Sequence, residues 1–352
     1  MFYLKYRPKT VAEIDNSRVK EELKKIISSK KLPHAFLYIG QKGTGKTSTA
    51  RILAKAINCL ENKSKSFEPC NHCKNCLAID ASSSADVLEM DAASNRGIED
   101  IRNLIRESNF LPMTGRYRVF IIDEAHMITT DAFNALLKTL EEPPSSVIFI
   151  LATTNDEKIP KTIKSRCVIL NFGKAKRVDI VSMLNRIILK EKIKVDEKLL
   201  SLIASRSDYS FRDAAKILEE LVIQNKLSLE EGKKFLGVFQ QNFISILEKD
   251  DFKKALTWIE EFNQSGGSFK ALIEELLDEL RLILLYKNGV IKESELETEL
   301  KLSEVVKLIK LLTIAYNDLK ITPIESLPLE IATAEFYNLR KYEARNPKSE
   351  TN

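Results

Sequence analysis

Short apolar runs alternate with amphipathic stretches through the first half of this chain. Phe36–Ile39, Val87–Met90, Val119–Ile122, Val147–Leu151 and Val168–Leu170 are predominantly apolar. Strands read this way when helices cover both faces of a parallel sheet. Between them, Val19, Leu23, Ile26 and Ile27 recur at helical spacing. Such alternation of strand and helix predicts an α/β domain with a parallel sheet over residues 1–173. After Phe172 the strand signals stop. Ile180, Met183, Leu184 and Ile187, then Ala214, Ile217, Leu218 and Leu221, predict a small group of helices over 174–236. A further helical block follows over 237–342, where Leu272, Ile273, Leu276, Leu277 and Leu280 form an apolar stripe. That stripe is either the block's own core or a surface for assembly. A Gly266–Gly267 turn and a polar stretch near 288–300 divide its helices, and residues 343–352 read as a disordered tail.

The chain has 352 residues, more than one hydrophobic core of about 250–300 residues holds, so two or three domains are expected. No apolar run of about 18 residues occurs. The start, MFYLKYRPKT, has no apolar signal region, and a cytoplasmic location is expected. The net charge is +5, from 55 basic and 50 acidic residues. A balance this mild permits contact with a phosphate backbone and equally suits an ordinary charged surface.

The sharpest motif is GQKGTGKT, Gly40–Thr47. It fits G-x-x-x-x-G-K-[ST], follows the apolar run FLYI and precedes the helical pattern STARILAKAI. Gly40, Gln41, Lys42, Gly43, Thr44, Gly45, Lys46, Thr47 and Ser48 are therefore candidate ATP or ADP contacts. Glycines let successive backbone N–H groups converge on phosphates at a helix N-terminus. Lys46 would neutralise phosphate charge, and Thr47 would offer its hydroxyl to Mg²⁺. In VFIIDEAH, residues 119–126, four apolar residues read as a buried strand that ends in Asp123 and Glu124. Asp123 would hold Mg²⁺ through water, and Glu124 would orient the attacking water. An acidic strand end taken alone is equally the start of a loop. VIFILATTN ends in the polar Thr153, Thr154 and Asn155, and TIKSRC carries Arg166.

Five cysteines occur, and Cys59, Cys70, Cys73 and Cys76 are spaced C-x₁₀-C-x₂-C-x₂-C. Four thiolates so close suit a tetrahedral structural Zn²⁺ with no open position. Free buried cysteines and an iron–sulfur cluster are the other readings. His72 is surplus to four sulfurs and is expected to be exposed. Cys167 reads as a small buried side chain.

YRPKT (Tyr6–Thr10), the P-loop followed by ARILAKAINC, DAASN (Asp91–Asn95), IIDEAHM, FNALLKTLEEPP (Phe133–Pro144), LATTN and SRC (Ser165–Cys167) occur in one order. In these the chain resembles the gamma/tau subunits of bacterial DNA polymerase III clamp loaders, which are AAA+ ATPases. The resemblance is strong over about residues 1–225 and weaker, by position and pattern, to about 342. It implies a five-stranded AAA+ domain, a helical lid and a helical collar. It also implies an ATPase motor that loads a sliding clamp onto primed DNA, without polymerase chemistry of its own. The implied partners are delta and delta-prime subunits, other gamma/tau copies, the clamp and primed DNA. Tyr6, Arg7 and Pro8 would touch the nucleotide. Thr154, with Asn155 as second choice, would be the sensor-1 residue. Arg166 would be an arginine finger acting in trans, and Arg212 the sensor-2 arginine of the lid. A surface ion pair is the other reading of either arginine.

Two places depart from the family pattern. Asn16-Ser17 stand where Gly-Gln is usual, and Tyr209-Ser210-Phe211-Arg212-Asp213 where Gly-Ser-Leu-Arg-Asp is common. No base-reading motif is present, so any DNA contact is expected at the phosphate backbone, with Arg96 and basic residues at helix starts as candidates. A DNA-remodelling or branch-migration ATPase is the alternative; the cysteine cluster and SRC argue against it. A non-hydrolysing scaffold subunit usually has a degenerate P-loop, whereas Lys46, Thr47, Asp123 and Glu124 are all intact.

Overall fold

A computed structural model describes residues 1–29, 32–61, 68–236, 243–249, 251–264, 266–291 and 298–345. The chain divides into two compact units, Met1–Gly232 and Lys233–Asn352. The division expected at 173/174 therefore lies inside the first unit.

That unit contains all five predicted strands, each slightly longer than its apolar run: β1 (Ala35–Gly40), β2 (Val87–Asp91), β3 (Arg118–Asp123), β4 (Val147–Thr153) and β5 (Val168–Gly173). They form one sheet of order β2-β3-β4-β1-β5, and every pairing is parallel. The fold is α/β of the P-loop type. Its helices are α1 (Phe2–Lys5), α2 (Ser17–Ile27), α3 (Lys46–Asn58), α4 (Lys74–Asp80), α5 (Ile98–Ser108), α6 (Thr130–Glu141), α7 (Lys161–Lys164), α8 (Arg177–Glu191), α9 (Glu197–Ser205) and α10 (Phe211–Ile223). The unit ends within α11 (Leu229–Phe235).

Side-chain alternation along β1 shows why the runs are apolar throughout. Phe36 and Tyr38 enter the core on one face of the sheet, with Leu53 of α3. Ala35 and Leu37 enter the core on the other, with Leu136 of α6. At the edge, β5 differs: Val168 and Ile169 are exposed while Leu170 and Phe172 are buried. The departure at Asn16 has a structural use. Its Oδ1 accepts from Val19 N–H and caps α2, while its Nδ2 donates to Phe172 O at 2.9 Å. One side chain thus starts a helix and ties it to the end of β5.

Helix α8 is tied to the segment before α2 by Arg186, which pairs with Asp15 at 2.9 Å and donates to Glu13 O. Burial outweighs this pairing and pushes the Asp15 carboxyl up to about 6.

The second unit is helical: α12 (Phe243–Lys249), α13 (Phe252–Gln264), α14 (Phe269–Lys287), α15 (Leu302–Asp318) and α16 (Leu327–Arg345). Leu272, Ile273, Leu276 and Leu280 all enter its core, and Leu277 packs against it. The apolar stripe is therefore mostly core. The rings of Phe243, Trp258, Phe262 and Phe269 pack in sequence at 4.8, 5.4 and 5.1 Å. Helix α16 runs past the expected end at 342, and residues 346–352 of the expected tail lie outside the described residues. Part of the polar stretch near 288–300, residues 292–297, also lies outside them.

Asp15 supplies a pH test. An acid whose pKa is raised by folding favours the fold in its protonated form. That contribution is complete below the unfolded pKa near 4 and is lost as pH rises through about 6. Between pH 7.5 and pH 5 the parent is expected to gain about 1 kcal/mol on an Asp15→Asn variant in urea unfolding. A pH-independent difference would mean that Asp15 titrates as an ordinary exposed carboxylate.

Candidate active site

All five strands run the same way, so their C-terminal ends share one edge, where α/β folds place ligands. Because β4 lies between β1 and β3, the end of β4 emerges between the P-loop and Asp123. The sequence-predicted groups therefore converge from three strands.

The loop after β1 turns with Gly43 at φ +78 and Gly45 at φ +96, left-handed values that suit glycine. Gly45 is the N-cap of α3. Lys46 is only 6% exposed, and its Nζ donates to Gly40 O at 2.8 Å and Gln41 O at 2.9 Å. Burial lowers its pKa from the usual lysine value, and the charges of Glu124 and Asp123 work against that fall. Thr47 Oγ1 donates to Asp123 Oδ2 at 2.6 Å. The two groups expected to hold Mg²⁺ thus already meet, and they are hard oxygen donors of the kind that ion takes.

Glu124 sits at φ 47, a rare backbone for a residue other than glycine, at the turn that ends β3. Its Oε2 accepts from Thr154 Oγ1 at 3.1 Å and lies 3.3 Å from His126 Nδ1. His126 Nδ1 is also 3.2 Å from Thr153 Oγ1, which accepts from Asn155 N–H. Thr154 is thus linked to the site through Glu124, whereas Asn155 joins only the turn. His126 stands in the DEAH string, but sequence reasoning passed over it, because one imidazole beside a motif carries no spacing signal of its own.

A cavity of about 300 Å³ is lined by the loop Lys42–Thr49, Asp123 and Glu124. Tyr6, Arg7, Pro8, Asn16, Met183 and Arg212 complete much of its wall. Arg7 Nε donates to Ser48 Oγ at 2.7 Å. Burial, then the charge of Arg51, lowers the Arg7 pKa. Helix α10 rests directly on the loop. Phe211 N–H, at the first turn of α10, donates to Gly43 O at 3.1 Å. Ser210 caps the same helix by accepting from Asp213 N–H, and a Cβ on Gly43 would lie 1.9 Å from Ser210 Oγ. Tyr209, which stands where the family pattern has glycine, adopts φ 57. The departure falls on the one residue of that segment whose backbone favours glycine, and its ring is covered by Lys174 Nζ at 4.5 Å.

Arg166 is not among the cavity residues. It pairs with Glu141 and donates to Thr162 O at 2.6 Å. Arg96 is exposed in the turn before α5. Cys167 is half-buried rather than fully buried, because the exposed edge strand begins beside it; burial still pushes its thiol up to about 12.

The sulfurs of Cys59, Cys70, Cys73 and Cys76 all lie within 4.8 Å of one another. A tetrahedron with metal–sulfur bonds of 2.3 Å has sulfurs about 3.8 Å apart, and Cys70 and Cys76 are already at 3.9 Å. Backbone N–H groups of Cys70 and Cys73 point at the sulfurs of Cys59 and Cys70. Burial works against ionising Cys73, but backbone donors at Cys76 and Leu60 bring its thiol down to about 6. Burial raises the Cys70 and Cys76 thiols instead, so it is the sulfur spacing that suits the cluster to a metal. His72 is exposed and pairs with Glu61 at 2.7 Å. The cluster is joined to α3 from below: Lys55, 1% exposed, reaches Asn71 Oδ1 at 2.7 Å and Asp80 Oδ1 at 2.8 Å. Asn58 accepts from the N–H groups of Arg116 and Tyr117, which lead into β3.

Residues 15–176 match the family model described as "DNA polymerase III, delta subunit". The chain is 37% identical over 352 residues to DNA polymerase III subunit tau of Bacillus subtilis, covering 95% of this chain and 62% of that one. It is 35% identical over 290 residues to DNA polymerase III subunit gamma of Buchnera aphidicola subsp. Baizongia pistaciae, covering 80% of this chain and 78% of that one. It thus spans less than two thirds of the Bacillus relative and most of the Buchnera one. Among solved structures, the Thermotoga maritima RuvB Holliday junction branch migration motor aligns with a TM-score of 0.48 and 18% identity. That alignment covers 69% of this chain and 78% of that one, and at this score it carries no argument.

The contact between lid and loop generates a stability test. Gly43→Ala adds a Cβ at a left-handed residue against Ser210. It is expected to destabilise the first unit by about 1–3 kcal/mol, read as a lowered urea midpoint. An unchanged midpoint would mean that α10 does not rest on the loop in solution.

Proposed function

The chain belongs to the gamma/tau family of DNA polymerase III subunits, and from that premise we propose that it is the ATP-hydrolysing motor of a replicative clamp loader. The observation that carries the ATPase reading is the convergence of Lys46, Thr47, Asp123 and Glu124 on one cavity, with Thr47 and Asp123 in hydrogen-bond contact. A P-loop without its acidic partners would bind nucleotide and stop there.

In this reading the loop Gly40–Ser48 cradles the phosphates and Lys46 compensates their charge. Thr47 and Asp123 hold Mg²⁺, which supplies charge neutralisation between phosphates. Glu124 orients the attacking water, and Thr154 holds the Glu124 carboxylate in place. Tyr6, Arg7 and Pro8 border the nucleotide, and Arg212 reaches it from the lid. Arg166, outside the chain's own cavity, serves a neighbouring subunit's site as a finger in trans. The residues 59–76 bind a structural Zn²⁺ through four sulfurs, with no catalytic part. The second unit joins subunits as a collar. The partners are delta and delta-prime subunits, further gamma/tau copies, a sliding clamp and the backbone of primed DNA, and the protein acts in the cytoplasm.

Turnover of ATP by the full chain, mixed with its delta-type partners, is expected to rise when clamp and primed DNA are added together. Glu124→Gln should lower turnover about 10²- to 10⁴-fold while ATP binding persists. Arg166→Ala should bind ATP in its own cavity yet lose the stimulated rate. Turnover that ignores the clamp and rises with branched or plain duplex DNA would sink the loader reading in favour of a remodeller.

Metal analysis tests the cysteine cluster separately. The purified chain is expected to carry one zinc per molecule, to lose it in the Cys73→Ser variant, and to unfold at a lower temperature without it. A metal-free parent of the same thermal stability would rule the structural zinc out.

A further inference from the structure

Arg212, Lys216 and Glu219 stand at i, i+4 and i+7 on α10, so they share one face of that helix. Helix α1 lies against this face. Phe2 N–H donates to Glu219 Oε2 at 3.1 Å. On its other side α1 is held to α8, where Glu191 accepts from both Lys5 Nζ at 2.7 Å and Tyr6 Oη at 2.6 Å. Between these two tethers the Tyr3 ring is brought under two cations. Arg212 Cζ lies 4.9 Å from the ring centroid, and Lys216 Nζ lies 5.7 Å from it. Tyr3 and Arg212 both line the cavity.

Among the described residues no carboxylate pairs with Arg212, and the Tyr3 ring is its neighbour of matching electrostatics. An arginine on an exposed helix start samples many rotamers unless something holds it. A ring face beneath a guanidinium does so without neutralising its charge, whereas a carboxylate would compete with an anionic ligand for the same donors.

We propose that Tyr3 is a positioning residue: its ring holds the Arg212 guanidinium over the cavity, ready for the phosphates of a bound nucleotide. The proposal rests on the reading that ATP occupies this cavity. It gives α1 a task that neither the P-loop motif nor the lid motif records. The N-terminal turn makes contact with the lid helices α8 and α10 and sets the orientation of the lid's cation.

The test is the affinity of the full chain for Mg²⁺-ATP, by titration calorimetry, in the parent and in Tyr3→Phe, Tyr3→Leu, Tyr3→Ala, Arg212→Ala, Tyr3→Ala/Arg212→Ala and Lys46→Ala. Tyr3→Phe keeps the ring and is expected to bind like the parent. Tyr3→Leu fills similar space without a π face, and with Tyr3→Ala it should weaken binding about two- to fivefold. In the Arg212→Ala background the loss of Tyr3 should add nothing further, because its partner is gone. Losses that multiply in the double variant would overturn the proposal, as would a Tyr3→Phe variant as weak as Tyr3→Ala or a Tyr3→Leu variant that binds like the parent. If Lys46→Ala also binds ATP as the parent does, the nucleotide reading of the cavity falls first. If Lys46→Ala and Arg212→Ala lose affinity while Tyr3→Ala does not, only the role of Tyr3 falls.

Discussion

A buried ammonium whose hydrogen bonds, among the described residues, go to backbone carbonyls is the constraint around which the first unit is arranged. Lys46 sits at the start of α3 with its charge bonded to Gly40 O and Gln41 O. A cation at 6% exposure is costly unless an anion joins it. The nearest carboxylates, Asp123 and Glu124, come from the end of β3, with β4 between that strand and β1. Asp123 is occupied by Thr47 and Glu124 by Thr154. The loop therefore keeps its positive field free for a ligand rather than spending it on an internal ion pair. The sheet order, the left-handed glycines and the strained Glu124 turn all serve that arrangement.

The same loop also carries the lid. Its Gly43 carbonyl receives the first free N–H of α10, one of the groups a helix start leaves without an intrahelical partner. The end of the lid helix that bears Arg212 is thus in contact with the segment proposed to hold phosphates. A shift in either has to be felt by the other, because Ser210 and Gly43 leave no slack between them. The consecutive left-handed residues Asp208 and Tyr209 stand just before this joint. They hold the chain in the turn that delivers Ser210 to its capping position.

At its other end α3 is fastened to the cysteine cluster. Lys55 is buried between Asn71 and Asp80, and Asn58 bonds the backbone that enters β3. A metal held by the four sulfurs would therefore brace the far end of the helix whose near end forms the loop. Such a metal would have a structural rather than a chemical task. It places the brace at the C-terminus of α3, remote in sequence from the acidic strand but joined to it by Asn58.

Much of this was legible in the sequence. The five strands were, because a buried parallel strand has to be apolar on both faces. The P-loop and the strand-end acids were, because phosphate chemistry demands those residue types at fixed local spacing. So were the four sulfurs, because three of them fall within one short segment. Long-range contacts were not legible. Nothing along the chain says that Asn16 bonds the end of β5, that Tyr209 occupies a left-handed turn, or that Tyr3 meets Arg212. Likewise, the stripe at Leu272–Leu280 could have been core or surface until its neighbours were known. Local pattern determines which elements form, since it depends on residues a few positions apart. Which side chains meet across hundreds of residues depends on how those elements pack, and only the tertiary structure decided that.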